Sequence, residues 1–515
     1  MMSWKEDDDC CTWDGVTCDS VTGHVIGLDL SCSWLYGNIP SNTSLFLLPQ
    51  LKTLNLSFND FKLSKIFPDF GRISSLTHLN LSTSNFGGHI PFEISHLSKL
   101  VTLDISNYFG NDNFYVRIER PVFERLVQNL TVLIDLVLDG VDMSSIMPSS
   151  MKNLSSSLNY LSLWDCKLQG NFPTHVFRLP NLQVLLLGAN ANLTGNFPKV
   201  NWSMPLKILD VSDMSMSEQL PNSISNLLYL RELYLDSCTL QGSVPAILGN
   251  LTQLTSLRLS NNKFNGQIPS FLSNLANLQD LFLHKNNFTG QFPKFFSNLT
   301  QLQSLDLSSN QLTGSIPSFF SNLVNLHDLY LQNNSFIGQF PEFFSNLTQL
   351  QSLDLSSNQL TGPILDCFVN SSQLFHLHLS SNQLTGPIPS SLFQLVSLKD
   401  LDLSSNSLSG IIEFHMFSKL KNLRYLCLSQ NKLSVTTTGF NVNSAFPQLE
   451  YFSLSDCNIC EFPGFLRSLD HLYHLDLSEN KIHGHIPNWM SEIGKDTLSL
   501  LNLSHNSLTG TIQLP

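Results

Sequence analysis

Leucine returns along this chain at a fixed step. Leu302, Leu305 and Leu307 recur at Leu326, Leu329 and Leu331, and then at Leu350, Leu353 and Leu355. They return at Leu374, Leu377 and Leu379 and at Leu398, Leu401 and Leu403, 24 residues apart each time. The register reaches back to Leu158 and, with small slips, forward to Leu498; twenty copies can be counted from Val25-Ile26-Gly27-Leu28-Asp29-Leu30 onward. Periods of this size mark stacked supersecondary units rather than separate globular domains. Leu-x-Leu has the alternation of a strand, so the leucines point inward and the intervening residues outward. One such strand cannot bury its apolar face alone, but stacked copies pair each strand with its neighbours. The pattern predicts an α/β solenoid, a horseshoe or superhelix with a parallel β-sheet on its concave face.

The other positions of the unit have architectural duties. The Asn that follows each strand (Asn310, Asn358, Asn382, Asn406) sits where the chain turns away, and its amide can bond backbone groups of adjacent turns. Cys166, Cys238 and Cys457 stand in the same column and read as small buried thiols with weak donor capacity. In Leu-Thr-Gly-x-Ile-Pro (Leu312–Pro317, Leu384–Pro389), Gly allows a tight bend and Pro stops the following residues from continuing a strand. Phe319-Phe320 and Phe343-Phe344 should pack the convex side. Residues 291–314 and 339–362 differ only at Lys294 and Glu342, so a two-turn unit has been duplicated. Leu100 and Leu133 are 33 residues apart, which predicts a loop-out at about 106–130, centred on Tyr108 to Glu119. The expected organisation is a cap at 1–24 and a solenoid at 25–515.

Charged residues are only 13% of the chain and the net charge is −13. No basic field exists to neutralise phosphates, which argues against nucleic acid and against a polybasic membrane surface. No run of apolar residues is long enough to span a bilayer; Leu126–Val141 is broken by Gln128, Asn129, Asp135 and Asp139. No apolar leader follows Met1. A solenoid must cover its first turn, and Trp4, Cys10-Cys11, Trp13, Gly15-Val16 and Cys18 suit that duty. Cys11 and Cys18 are close enough to close a short loop, whereas Cys10 has no obvious partner. Fourteen Asn-x-Ser/Thr sequons include Asn42, Asn129, Asn153, Asn250, Asn298, Asn346 and Asn370. An Asn-Leu-Thr repeat generates sequons without selection, yet with the cysteine cap they favour a secretory design.

The outward residues should form one continuous face. Its middle position is Asp or Asn in many turns (Asp29, Asn55, Asn80, Asp104, Asp210, Asp476, Asn502), whereas the centre reads Tyr234, Arg258, Phe282, Asp306, Tyr330, Asp354, His378 and Asp402. Aromatic and Arg side chains on a solvated face are residue types that carry binding energy, which makes these eight the candidate ligand contacts. His376 and His378 stand beside Asp400 and Asp402 of the next turn, as two His–Asp hydrogen-bonded pairs rather than a metal site. Neighbouring carboxylates raise a histidine pKa, so this patch is also a candidate acid sensor. Cys427 is expected to face outward as a free thiol. No nucleophile elbow, phosphate loop, kinase motif set or His-Glu-x-x-His occurs, so the reading is non-enzymatic, with no cofactor and no metal.

Trp4, Cys10-Cys11 and Trp13-x-Gly15-Val16-x-Cys18 resemble the N-terminal cap of plant leucine-rich-repeat extracellular proteins. Leu-Thr-Gly-x-Ile-Pro is similar to their plant-specific repeat. Leu126-Val127-Gln128-Asn129-Leu130-Thr131 and the extended repeat before it look like the receptor-like proteins of plant defence, which include the tomato leaf-mould and Verticillium resistance proteins. The resemblance implies a cell-surface ectodomain that binds a peptide or protein and signals through a partner receptor kinase. It also implies a Cys11–Cys18 disulfide, with Cys10 bonded to a cysteine further upstream. A signal peptide, a membrane span and a short tail belong to that pattern and are absent from this sequence, so a fragment is expected. Two rival functions follow: a soluble apoplastic inhibitor of microbial cell-wall hydrolases, for which twenty repeats are about twice too many, and a truncated product without function.

Overall fold

Leu-x-Leu segments become three-residue strands whose central leucine is sealed from solvent. In the computed structural model, Leu305, Leu329, Leu353, Leu377 and Leu401 are each 1% exposed or less, while Asp306, Tyr330, Asp354, His378 and Asp402 after them keep part of their surface open. Burial of this kind is worth about 1.5–3 kcal/mol per side chain. The structure describes residues 4–5, 8–40, 43–107, 116–171, 173–197, 202, 204–216, 220–436 and 447–510. They fall into two compact units, residues 1–263 and 264–515.

In the first unit, parallel strands run from Val25–Asp29 and Thr53–Asn55 to Glu232–Tyr234 and Ser256–Arg258. Leucines pair with leucines, as in Leu209↔Leu233 and Leu233↔Leu257. At its start Val16–Cys18 pairs antiparallel with Val25–Asp29, and Cys11 is disulfide-bonded to Cys18. Trp4 stacks on Trp13 at 4.9 Å, and its indole N–H donates to the Asp14 carbonyl at 3.0 Å. Gly15 is required here: its φ is +79°, and a Cβ would lie 2.0 Å from the Asp29 carbonyl oxygen.

Of the expected loop-out at 106–130, residues 108–115 lie outside the described residues. Ser106 and Asn107 before them are buried. After them Val116–Arg117 pairs with Gly88–His89, and Arg120–Asn129 is the one α-helix among the described residues. Its buried positions Phe123, Leu126 and Val127, followed by Leu130, have the spacing of a helical face, so this stretch packs into the solenoid.

In the second unit the strands Asp280–Phe282, Ser304–Asp306, Asp328–Tyr330, Ser352–Asp354, His376–His378 and Asp400–Asp402 pair in parallel, one per turn. The sheet continues through Tyr425–Cys427, Tyr451–Ser453, His474–Asp476 and Leu500–Asn502. A second parallel sheet, which the repeat pattern did not reveal, joins the Leu-Thr-Gly segments, from Asn287–Gly290 and Gln311–Gly314 to Ser407–Glu413. Gly314 and Gly386 end their strands at φ +82° and +75°. Pro317 then caps the 3-10 helix Ser318–Asn322, in which Phe320 is buried and Phe319 half-buried. In the last turn Leu501 and Leu503 are only half-buried, whereas Leu475 and Leu477 are sealed.

The asparagine column holds adjacent turns together. Asn382 donates to the carbonyls of Leu379 and Ser380 in its own turn (3.2 Å each) and of Leu355 in the turn before (2.9 Å). Its Oδ1 accepts from the Leu360 N–H at 2.9 Å. Where cysteine replaces asparagine, the thiol keeps the donation to the preceding turn, Cys166 to Leu138 O, Cys238 to Val211 O and Cys457 to Leu428 O at 3.0–3.2 Å, with a longer contact at 3.4–3.6 Å to the carbonyl two residues back. No helix among the described residues is long and apolar enough to cross a membrane.

Candidate ligand-binding face

An aspartate or asparagine in the middle of Leu-x-Leu is first of all a local cap. Its Oδ1 accepts from the backbone N–H two residues on: Asp29 from Ser31, Asn55 from Ser57, Asn80 from Ser82, Asp104 from Ser106 and Asp210 from Ser212. Asp306, Asp354, Asp402 and Asp476 do the same with Ser308, Ser356, Ser404 and Ser478 at 2.8–3.0 Å. The bond satisfies a donor where the chain leaves the sheet. The frequency of Asp and Asn at this middle position therefore has a structural cause. Tyr234, Arg258, Phe282, Tyr330 and His378 cannot make this bond. At Arg258 a neighbouring turn supplies it instead, with the Ser260 N–H donating to Asp236 Oδ1 at 2.8 Å.

In the first unit the candidates Tyr234 and Arg258 touch. The Arg258 guanidinium lies 4.8 Å from the Tyr234 ring centroid, and the Tyr234 hydroxyl donates to Glu232 at 2.6 Å. Burial, then that hydrogen bond to a carboxylate, pushes the Tyr234 hydroxyl up to about 12. Arg258 is exposed and Tyr234 half-buried.

In the second unit Phe282, Asp306, Tyr330, Asp354, His378 and Asp402 follow one another on adjacent strands, all half-buried. The aromatic rings expected to stand exposed are thus partly sunk among their neighbours. His284 Nδ1 lies 3.0 Å from Asp306 Oδ2, and His378 Nδ1 lies 3.8 Å from Asp354 Oδ2. His376 engages Asp400 as expected. His378 does not turn to Asp402; it takes Asp354 of the turn before, so the four His and Asp side chains do not converge on one point. The Asp354 carboxylate beside it raises the His378 pKa, against burial, with Asp402 and Asp400 adding charge in the same direction.

Cys427 corrects another expectation. It occupies the outward column but is buried, 7% exposed. Its short side chain is shaded by longer ones: Tyr425 and Tyr451 stack at 4.2 Å beside it, and Asp402 flanks it on the next strand. Burial raises its pKa. The position of His376 and Asp400, just before Leu-x-Leu, also carries Tyr425, Tyr451 and His474, which the sequence did not single out and which form a ladder with centroids 4.2 Å apart. Counting that second outward column in the same register would have found it. Beside the cap, the exposed rings Trp34, Tyr36 and Phe58 were likewise missed, Lys62 lying over Tyr36 at 4.1 Å.

Among the described residues only Cys10, Cys11 and Cys18 gather as three metal-ligating groups, and two of them form the disulfide. Of the sequons, Asn153, Asn250, Asn298, Asn346 and Asn370 are exposed, and the first four end 3-10 helices. Asn129 is half-buried and donates to the Ser95 carbonyl at 3.0 Å. Asn42 lies outside the described residues.

The family described as Leucine rich repeat matches residues 276–336, 324–384 and 387–433, and a shorter Leucine Rich Repeat profile matches 75–97, 229–251, 253–275 and 471–493. The Leucine rich repeat N-terminal domain matches residues 1–19. Receptor-like protein 6 of Arabidopsis thaliana is 42% identical over 234 residues, 45% of this chain and 23% of that protein. The chain thus spans about a quarter of the length of this relative. Among solved structures, the ectodomain of the plant membrane receptor kinase GASSHO1/SCHENGEN3 from Arabidopsis thaliana, in complex with CASPARIAN STRIP INTEGRITY FACTOR 2, superposes with a TM-score of 0.77 at 31% identity, over 98% of this chain and 70% of that one. The Arabidopsis receptor kinase HAESA, in complex with the peptide hormone IDA and the co-receptor SERK1, has a TM-score of 0.65 at 28% identity, over 99% and 91%.

Proposed function

Since the chain belongs to the plant leucine-rich-repeat receptor-like proteins, we propose that it is ligand-binding ectodomain of a cell-surface receptor acting in defence perception. It holds a peptide or protein on the outward face of its long sheet, without catalysis, and passes the signal to a receptor kinase co-receptor. The observation that carries this reading is the run Phe282, Asp306, Tyr330, Asp354, His378 and Asp402: rings and acids on consecutive strands, partly open, none of them in the leucine core. Rings on the outward face, outside the leucine core, cost solubility, which is the signature of a contact surface. HAESA, similar over most of this chain, is bound to a peptide hormone and a co-receptor in its complex. Exposed sequons at the ends of the 3-10 helices and the Cys11–Cys18 disulfide support passage through the secretory route and a position outside the plasma membrane.

The test is retention of peptides from the culture filtrate of a plant-pathogenic fungus on the immobilised chain, read by mass spectrometry of the eluate. The wild type should retain a peptide fraction that a Phe282→Ala/Tyr330→Ala double variant releases. A wild-type column that retains nothing, or a variant that retains the same fraction, refutes the reading.

A further inference from the structure

The second unit carries a register as well as a surface. From Phe282 to Asp402 the middle outward position alternates ring and acid: Phe282, Asp306, Tyr330, Asp354, His378, Asp402. The three acids have a common pose, because each commits Oδ1 to the backbone N–H two residues on, Ser308, Ser356 or Ser404. That bond leaves Oδ2 off the backbone, and in Asp306 and Asp354 it faces a histidine, His284 and His378. Histidines are the only basic groups within ion-pair reach of Asp306 and Asp354 among the described residues, and no ion pair of Asp402 occurs among them. The row therefore presents negative charge at a fixed interval that the protein itself does not neutralise with Lys or Arg.

The interval selects a ligand conformation. Parallel strands lie about 4.8 Å apart, so acids on every second strand are about 9.6 Å apart. A polyproline II peptide laid across the strands rises about 3.1 Å per residue and repeats every third residue, at about 9.3 Å. From Asp306 to Asp402 the face spans about 19 Å, and six polyproline II residues span about 18.6 Å. A peptide in β conformation returns to the same side about every 6.8 Å and loses step with the acids after one interval. Between the acids the rings of Tyr330 and His378, and before them that of Phe282, offer the flat ground on which polyproline II ligands dock elsewhere.

We propose that residues 282–402 recognise a peptide in polyproline II form with a basic side chain at every third position, one each for Asp306, Asp354 and Asp402. This inference rests on the reading of the sheet face as a ligand surface and adds the ligand's chemistry and spacing.

Two labelled dodecapeptides of identical composition test it by fluorescence anisotropy at physiological salt. One repeats Arg-Pro-Pro four times; the other places its four arginines together before eight prolines. The periodic peptide should bind about tenfold more tightly, because only it meets all three acids in step. Asp306→Asn, Asp354→Asn and Asp402→Asn should each weaken it about threefold or more. These variants keep the cap, since Asn55, Asn80 and Asn502 accept the same backbone N–H at this position. Asp476→Asn, outside the run, should leave affinity unchanged. Equal affinity for the two peptides, or an equal loss in Asp476→Asn, overturns the register and leaves the ligand face standing. Failure of both peptides to bind also overturns it, while retention of fungal peptides decides the broader reading separately.

Discussion

Asp354 divides its two oxygens between neighbours: one accepts from the Ser356 backbone N–H at 2.9 Å, and the other faces His378 Nδ1 of the next strand at 3.8 Å. One carboxylate thus fixes the end of its own strand and joins the next turn to it. The two duties separate on mutation.

Asp354→Asn should fold with nearly wild-type stability, because the amide oxygen still accepts from Ser356. Asp354→Ala should lose about 1 kcal/mol, the usual net value of such a bond. Urea unfolding of the two variants gives the comparison, and equal midpoints would remove the cap from the account.

His378 should confer a pH-dependent stability. Its folded pKa lies above the ordinary histidine value of about 6.5. A raised basic group stabilises the fold below its unfolded pKa and loses that contribution as pH rises through the folded one. The stability difference between wild type and His378→Asn should therefore be full under acidic conditions and shrink above the ordinary histidine range. Thermal melts across that range that run parallel for the two proteins would contradict the pairing with Asp354.

The asparagine column predicts a graded series at Asn382. Removing its amide strands the Leu360 N–H and leaves the Leu355 carbonyl with only the Asn358 amide at 3.2 Å, at about 1–3 kcal/mol for the stranded donor. Asn382→Cys should cost less than Asn382→Ala, because a thiol restores the donation that Cys238 makes to Val211. Unfolding midpoints in the order wild type, Cys, Ala are expected.

Thiol chemistry separates the cysteines. Cys32 and Cys460 are exposed, whereas Cys166, Cys238, Cys367, Cys427 and Cys457 are buried. Burial pushes the thiols of Cys238, Cys367 and Cys457 up to about 12, so little thiolate is present at neutral pH. Native-state maleimide labelling with peptide mapping should mark Cys32 and Cys460 first and reach Cys427 only after denaturation. Early modification of Cys427 would mean that the Tyr425–Tyr451 stack does not cover it.

Much of this architecture is written in local pattern. A leucine every second residue specifies a strand with one buried face, and the 24-residue return specifies the neighbour on which it stacks, so strands, core and asparagine column could be read in order. The helix Arg120–Asn129 was equally legible in Phe123, Leu126, Val127 and Leu130, but the length anomaly around it drew attention to a loop instead. The second sheet escaped because Leu-Thr-Gly is only a short extended run, whose pairing partner lies one full turn away.

Side chains on the outer face obey a different rule. Alternation decides that His378 and Cys427 leave the leucine layer, since both follow from backbone periodicity. Whether His378 reaches back to Asp354 or forward to Asp402, and whether Cys427 is open or shaded by Tyr425 and Tyr451, depends on rotamers and on the size of residues about 24 positions away in the chain. Those contacts exist only once the turns are stacked, and only the tertiary structure decided them.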